Sequence, residues 1–254
     1  MAFSPQTVLI TGAARRIGRA LALDLAAHGW AVAVHYHSSA EEAALVAAEI
    51  HAQGGRAETV RANLGDIDQV KNLIPQAAAK LGPLTCLINN ASLFEHDDVD
   101  TLTQDSWDSH LNTNLRAPAF LAQSFAAQLP ADTPGNIVNV IDQRVWRLTP
   151  RFLSYTISKA GLWTLTRTLA QSLAPGIRVN AIGPGPTLAN ERQSARHFEH
   201  QKQATILKRG TTPEEICGAV RFILAAPAMT GQMIALDSGQ HLAWETPDIV
   251  GVPE

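Results

Sequence analysis

Short apolar runs alternate along this chain with longer stretches in which apolar residues recur every three or four positions, so strands and helices are predicted to alternate throughout. Residues 7–10 read as a strand that enters a glycine-bearing loop, and 15–28 as a helix that stops at Gly29. A strand over 31–36, a helix over 40–53 ended by Gly54 and Gly55, and a strand over 57–61 follow. The order continues with a helix over 66–80, a strand over 84–89, one long helix over 103–128 and a strand over 136–141. Next come a helix over 152–173, a strand over 178–182, a helix over 213–225 opened by Pro213, and a closing strand over 232–236.

Helices between successive strands act as crossovers, which places the strands side by side in one direction. The expected fold is therefore α/β: a single doubly wound, Rossmann-type parallel sheet with helices on both faces, formed by residues 1–254 as one domain. Residues 186–209 are polar and lack a period, and the segment 186–212 is expected to be a lid over a bound ligand.

Composition narrows the function. Hydrophobic residues make up 46% of the 254 and charged residues 17%, which suits a large core. The formal net charge of −3 provides no broad basic field, so nucleic acid and anionic membrane are excluded as expected partners. No apolar run is long enough for a membrane span and the N-terminus lacks a basic region before an apolar stretch, so a soluble, cytoplasmic protein is expected. Cys86 and Cys217 are isolated and are expected to be buried thiols. The pairs His35/His37 and His197/His200 have no carboxylate or cysteine at ligand spacing, and no metal is expected.

Two patterns carry chemistry. Tyr155 and Lys159 are four apart in a helix-prone stretch, so both leave one face, and an ammonium beside the phenol is expected to lower its pKa towards neutrality. Upstream, Thr11-Gly12-Ala13-Ala14-Arg15-Arg16-Ile17-Gly18 lies between a strand and a helix, the setting in which backbone N–H groups hold a pyrophosphate. Gly12 and Gly18 fit the turn and the close helix approach, whereas Arg16 stands where a middle glycine is usual. The second strand ends in His35-Tyr-His-Ser-Ser, without the acid that would accept from a ribose 2′-OH. Arg16, His37, Ser38 and Ser39 instead offer donors near the adenosine ribose, and the cofactor inferred is NADPH.

These residues resemble the short-chain dehydrogenase/reductase family from about Thr7 to Leu242. Thr11-Gly12 with Gly18 looks like its cofactor loop, Asn89-Asn90-Ala91 its mid-sheet motif, Asn114 its helix asparagine, Tyr155 with Lys159 its catalytic pair, and Pro184-Gly185 the turn before its substrate loop. Most members carry a serine thirteen positions before the tyrosine, where this chain has Asp142. That aspartate, Arg16, the His-Tyr-His strand end and Asn-Asn-Ala-Ser-x-Phe ending at Phe94 together look like the pteridine reductase branch, which includes bacterial dihydromonapterin and dihydrofolate reductases.

The resemblance implies a homotetrameric NADPH-dependent reductase acting on a ring C=N of a reduced pterin or dihydrofolate, with Asp142, Tyr155, Lys159 and Asn114 catalytic. Cofactor contacts are implied for Gly12, Arg16, Ile17, Gly18, His35, His37, Ser38, Ser39, Asn63, Leu64, Asn90, Ala91, Ser92, Tyr155, Lys159, Pro184 and Gly185. Substrate contacts fall to Ser92, Phe94, Asp142 and Tyr155, with the Phe94 ring stacking on the pterin opposite the nicotinamide. Lys159 would orient the nicotinamide ribose and Asn114 order a water chain. A carboxylate beside a phenolate is repelled, which leaves Asp142 partly protonated or acting through water. Asn63 departs from the aspartate usual near adenine. The basic residues Arg192, Arg196, His197 and Lys202 of the lid match nothing in the family; a solvated loop or a contact with an acidic substrate tail fits them. A carbonyl or 3-oxoacyl reductase is the competing enzyme reading, and an NADPH-sensing module without turnover the competing non-enzyme one.

Overall fold

The computed structural model describes residues 6–189 and 194–244. Seven strands form one parallel sheet in the order β3-β2-β1-β4-β5-β6-β7. They are β1 (Thr7–Ile10), β2 (Ala31–Tyr36), β3 (Ala57–Arg61), β4 (Cys86–Asn89), β5 (Gly135–Val140), β6 (Ile177–Pro184) and β7 (Met233–Leu236). Side chains alternate between the faces of each strand. Val8, Ile10, Val32 and Val34 therefore pack under α1 (Arg16–Ala27), α2 (Ala40–Ala52) and α8 (Pro213–Ala225). Leu9, Ala33 and Leu87 point the other way, into the layer formed by α3 (Ile67–Leu81), α5 (Ala117–Gln128) and α6 (Leu153–Ser172). Cys86 and Cys217 both lie in the core beneath α1, where burial raises their thiol pKa values, that of Cys217 to about 12.

Three differences from the sequence pattern bear on the crevice and its walls. The fourth strand starts at Cys86, because the Leu84 N–H turns aside to donate to Gln128 Oε1 at 3.0 Å. The run 103–128 is α4 (Gln104–Leu111) and α5 joined by a π-helical turn, Asn112–Arg116. Within the expected lid lies α7 (Ala195–Gln203), capped by the Ser194 side chain accepting from the His197 N–H. It buries no residue, which is why no apolar period announced it. Of the four basic residues singled out in the lid, Arg196, His197 and Lys202 belong to α7 and Arg192 lies outside the described residues.

Candidate active site

Strand order reverses at β1, with β2 on one side and β4 on the other, and a crevice opens at their carboxyl ends. Two loops are pinned together there. Thr11 Oγ1 accepts from the N–H groups of Asn90 and Ala91, both at 2.9 Å, and Asn90 Nδ2 donates to the carbonyls of Thr11 at 2.8 Å and Gly12 at 3.2 Å. Gly12 has φ +64°, and a Cβ on Gly18 would lie 2.1 Å from the Gly12 oxygen, so neither position admits a side chain. No side chain caps α1 and no acid occupies its first turn. Its leading N–H groups are left for an anion, and a pyrophosphate fits this cradle.

His35 stands behind the loop rather than in the crevice. Its Nδ1 accepts from the Gly12 N–H at 3.0 Å, which leaves the proton on Nε2 to donate to the Ala62 carbonyl at 3.1 Å. The ring is buried and neutral, and burial pulls its pKa down to about 4. Arg16 has φ +53° and its guanidinium crosses the crevice to the carbonyls of Leu188 (2.8 Å) and Ala189 (2.6 Å). The sequence reading set these donors near the adenosine ribose with those of His37 and Ser38; here two carbonyls on the facing wall take them. Arg61 stands beside His37, its Nε donating to the His37 carbonyl at 3.3 Å; it follows from the pairing of Tyr36 with Arg61 in β2 and β3, which the linear sequence does not reveal. Ser38 and Ser39 lead into α2, while Asn63 Oδ1 accepts from the Gly65 N–H at 2.9 Å and Leu64 is buried in the core.

Tyr155 lies in the first turn of α6, and its hydroxyl donates to Asp142 Oδ2 at 2.9 Å. The other oxygen of Asp142 accepts from the Arg144 N–H at 2.8 Å. Lys159, one turn on, donates to the Val140 carbonyl at 2.9 Å, with Nζ 5.8 Å from the tyrosine ring centre. The phenol pKa is not lowered. Burial, then the charge and hydrogen bond of Asp142, raise it well above 10, outweighing the opposing effects of Arg144 and the Ser92 hydroxyl. Burial also brings the Lys159 pKa down to about 8, against the pull of Asp142.

Asn114 sits in the π turn, behind the wall of the crevice. It exchanges hydrogen bonds with the Leu93 backbone (2.8 and 2.9 Å) and donates to Ser158 Oγ at 3.0 Å, which in turn donates to the Tyr155 carbonyl at 2.7 Å. The segment 92–94 and the start of α6 are thereby locked together. Phe94 stacks on Phe152 (4.4 Å between centres, 13° between planes) and meets Tyr155 edge-on at 4.6 Å.

A buried polar knot, invisible in the sequence spacing, supports this wall. The Asp97 carbonyl accepts from the N–H groups of Phe152 (2.7 Å) and Leu153 (3.2 Å), and its carboxylate accepts from the Ser154 N–H at 3.1 Å and from the Ser154 hydroxyl. His110 Nε2 accepts from the Glu95 N–H at 3.0 Å, so its Nδ1–H faces the Ser106 carbonyl at 2.9 Å. Asp97 thus caps the helix that carries Tyr155 from a loop some sixty residues away, which only the folded chain discloses.

The crevice has a volume of about 900 Å³. It brings together Gly12, Arg16, Ile17, Gly18, Asn90, Ala91, Ser92, Phe94, Asp142, Tyr155, Lys159, Pro184, Gly185 and His197 among the residues singled out in the sequence, and adds His96, Arg144, Arg151, Phe152 and Phe198. His35, His37, Ser38, Ser39, Asn63, Leu64 and Asn114 do not line it. Among the described residues no three His, Cys, Asp or Glu side chains cluster as a metal site, and no helix is long and apolar enough to cross a membrane.

Residues 12–241 match the family model described as enoyl-(acyl carrier protein) reductase. The chain belongs to the short-chain dehydrogenase/reductase family. The 3-oxoacyl-[acyl-carrier-protein] reductase of Synechocystis sp. is 34% identical over 242 residues, covering 94% of this chain and 98% of the relative. The Staphylococcus aureus enzyme of the same description is 32% identical, with 93% and 98% covered. Among solved structures, FolM alternative dihydrofolate reductase 1 from Brucella suis in complex with NADP is 50% identical, with a TM-score of 0.94 over 96% of this chain and 98% of that one. A short-chain dehydrogenase from Burkholderia cenocepacia, also with NADP, is 34% identical with a TM-score of 0.87 over 92% and 97%. Tyr155, Asp142 and Lys159 line one crevice with the glycine cradle of this family fold.

Proposed function

We propose that the protein is an NADPH-dependent reductase of a reduced pterin, a dihydropterin or dihydrofolate, acting on a ring C=N as a homotetramer. The reading rests on one observation: a carboxylate, Asp142, accepts the Tyr155 proton at 2.9 Å. A serine at that place would donate to a substrate carbonyl oxygen, whereas an ionised aspartate has no proton to give. It suits instead the N–H-rich aminopyrimidine edge of a pterin, from which it would accept two hydrogen bonds side by side.

NADPH, when bound, supplies the hydride. The glycine cradle, the uncapped α1 and Lys159 would hold it. His37, Ser38, Ser39 and Arg61 would face its 2′-phosphate, and the 50% identical Brucella suis protein carries NADP. When the pterin edge occupies Asp142, the Tyr155 hydroxyl is released to give its proton to the ring nitrogen. Lys159, still mostly charged at pH 7 with a pKa of about 8, stabilises the phenolate left behind. Phe94 offers a flat wall for the ring.

The 3-oxoacyl reductase reading is favoured by the curated relatives at 34% and 32% identity. Asp142→Ser separates the two. The ratio of kcat/KM for a dihydropterin to that for an acetoacetyl thioester is expected to fall by about a hundredfold, the loss typical of one polar group in a reaction site. An unchanged ratio refutes the role given to Asp142.

A further inference from the structure

The crevice is much more basic than the chain that builds it. Its walls carry Arg15, Arg16, Arg144, Arg151 and Lys159 against one carboxylate, Asp142, in a protein of net charge −3. Three of these cations are already engaged: Arg15 with Glu42, Arg16 with the Leu188 and Ala189 carbonyls, and Lys159 with the Val140 carbonyl. Arg144 and Arg151 stand apart from the glycine cradle, on the segment between β5 and α6, and among the described residues neither makes an ion pair.

Both are held on one braced turn. Arg144 Nη1 donates to Thr149 Oγ1 at 2.5 Å, and that hydroxyl donates to the Arg151 carbonyl at 3.2 Å. The Arg144 guanidinium lies over the Phe152 ring, 5.2 Å from its centre, and its backbone N–H holds Asp142. The turn closes at Phe152 with φ +60°, an unfavourable conformation for a bulky residue, retained by the Asp97 carbonyl and by the stack on Phe94. Strain of this kind is kept where side chains must be aimed. The layers run Tyr155, Phe94, Phe152, Arg144, which sets one arginine fork beyond the aromatic wall, and Arg151 lines the same crevice.

Resting on the pterin reading above, we infer that Arg144 and Arg151 form a carboxylate subsite that recognises the acidic tail of an extended substrate, so that a pterin bearing an acylated glutamate is preferred to one without it. The test compares kcat/KM at saturating NADPH for dihydrofolate and for 6-hydroxymethyl-dihydropterin, in the wild type, Arg144→Gln, Arg151→Gln and the double variant. The ratio of the two values is expected to fall by about ten- to hundredfold in the double variant, with the loss in the dihydrofolate KM. A merely structural role depresses both substrates together; a ratio within about twofold of the wild type overturns the subsite. Arg144 also braces Thr149, so should its variant fail to fold, Arg151→Gln alone carries the same comparison. Glutarate is expected to compete with dihydrofolate more strongly than inorganic phosphate does, and the reverse order overturns the carboxylate assignment. If the wild type reduces neither pterin, the function proposed above falls. The subsite is then read by calorimetry with N-(4-aminobenzoyl)-glutamate on the NADP-loaded protein, where loss of binding in the double variant supports it and equal or absent binding overturns it.

Discussion

His35 shows how far a residue's role can depart from its place in a motif. It lies two residues before His37, within a strand end expected to contact cofactor, yet its two ring nitrogens tie Gly12 to Ala62 and leave nothing for a ligand. Its folded pKa of about 4 lies below the ordinary 6.5, so between these values the unfolded chain binds the extra proton. Stability from the neutral ring is full above pH 6.5 and is lost as pH falls towards 4. Denaturant unfolding at pH 7 and pH 5 should show His35→Gln losing less stability on acidification than the wild type, by about 2 kcal/mol; equal losses would contradict the buried, neutral assignment. Helical spacing set Tyr155 and Lys159 on one face and the family resemblance added Asp142, and the fold brings all three to one crevice, whereas the ionisation of the phenol was not legible. Helical spacing brings Lys159 near, but burial and the Asp142 contact arise from tertiary packing and reverse the direction of the shift.

Strands and amphipathic helices were legible because each buries a face, as in the alternation of Val8, Leu9 and Ile10 between two cores. Elements without such a face were not. α7 buries nothing, and the π turn at Asn112–Arg116 inserts into a helix whose apolar period continues past it, although Asn114 depends on it. The glycine loop belongs to the first kind. Its sequence called for close approach at Gly18, and the loop leaves a Cβ there 2.1 Å from the Gly12 oxygen and 2.6 Å from Asn90 Nδ2. Gly18→Ala is therefore expected to push α1 from the loop and raise the Kd for NADPH by about ten- to hundredfold. Fluorescence titration of the reduced cofactor measures it, and a Kd equal to the wild type would place the pyrophosphate elsewhere.

At the scale of the molecule, the strand order fixes where the crevice lies: the reversal at β1 opens it, and the loops after β4, β5 and β6 supply Phe94, Asp142 and Gly185 to it. A parallel, doubly wound sheet was legible in the alternation of elements along the sequence; the order of its strands was not. What the sequence could not disclose was the charge of the crevice, since Arg144 and Arg151 face it only through the left-handed Phe152 and the distant Asp97 cap. The proposed substrate choice rests on the same whole: a scaffold shared with relatives described as 3-oxoacyl reductases, with an aspartate at position 142 accepting from the Tyr155 hydroxyl. The most direct test is the rate of NADPH oxidation by the purified protein with dihydropterin, dihydrofolate, an acetoacetyl thioester, a quinone and a simple ketone side by side. A pterin substrate should lead in kcat/KM by about a hundredfold or more, as expected when buried polar groups find their partners in one substrate alone. A thioester or ketone reduced faster than either pterin would contradict it.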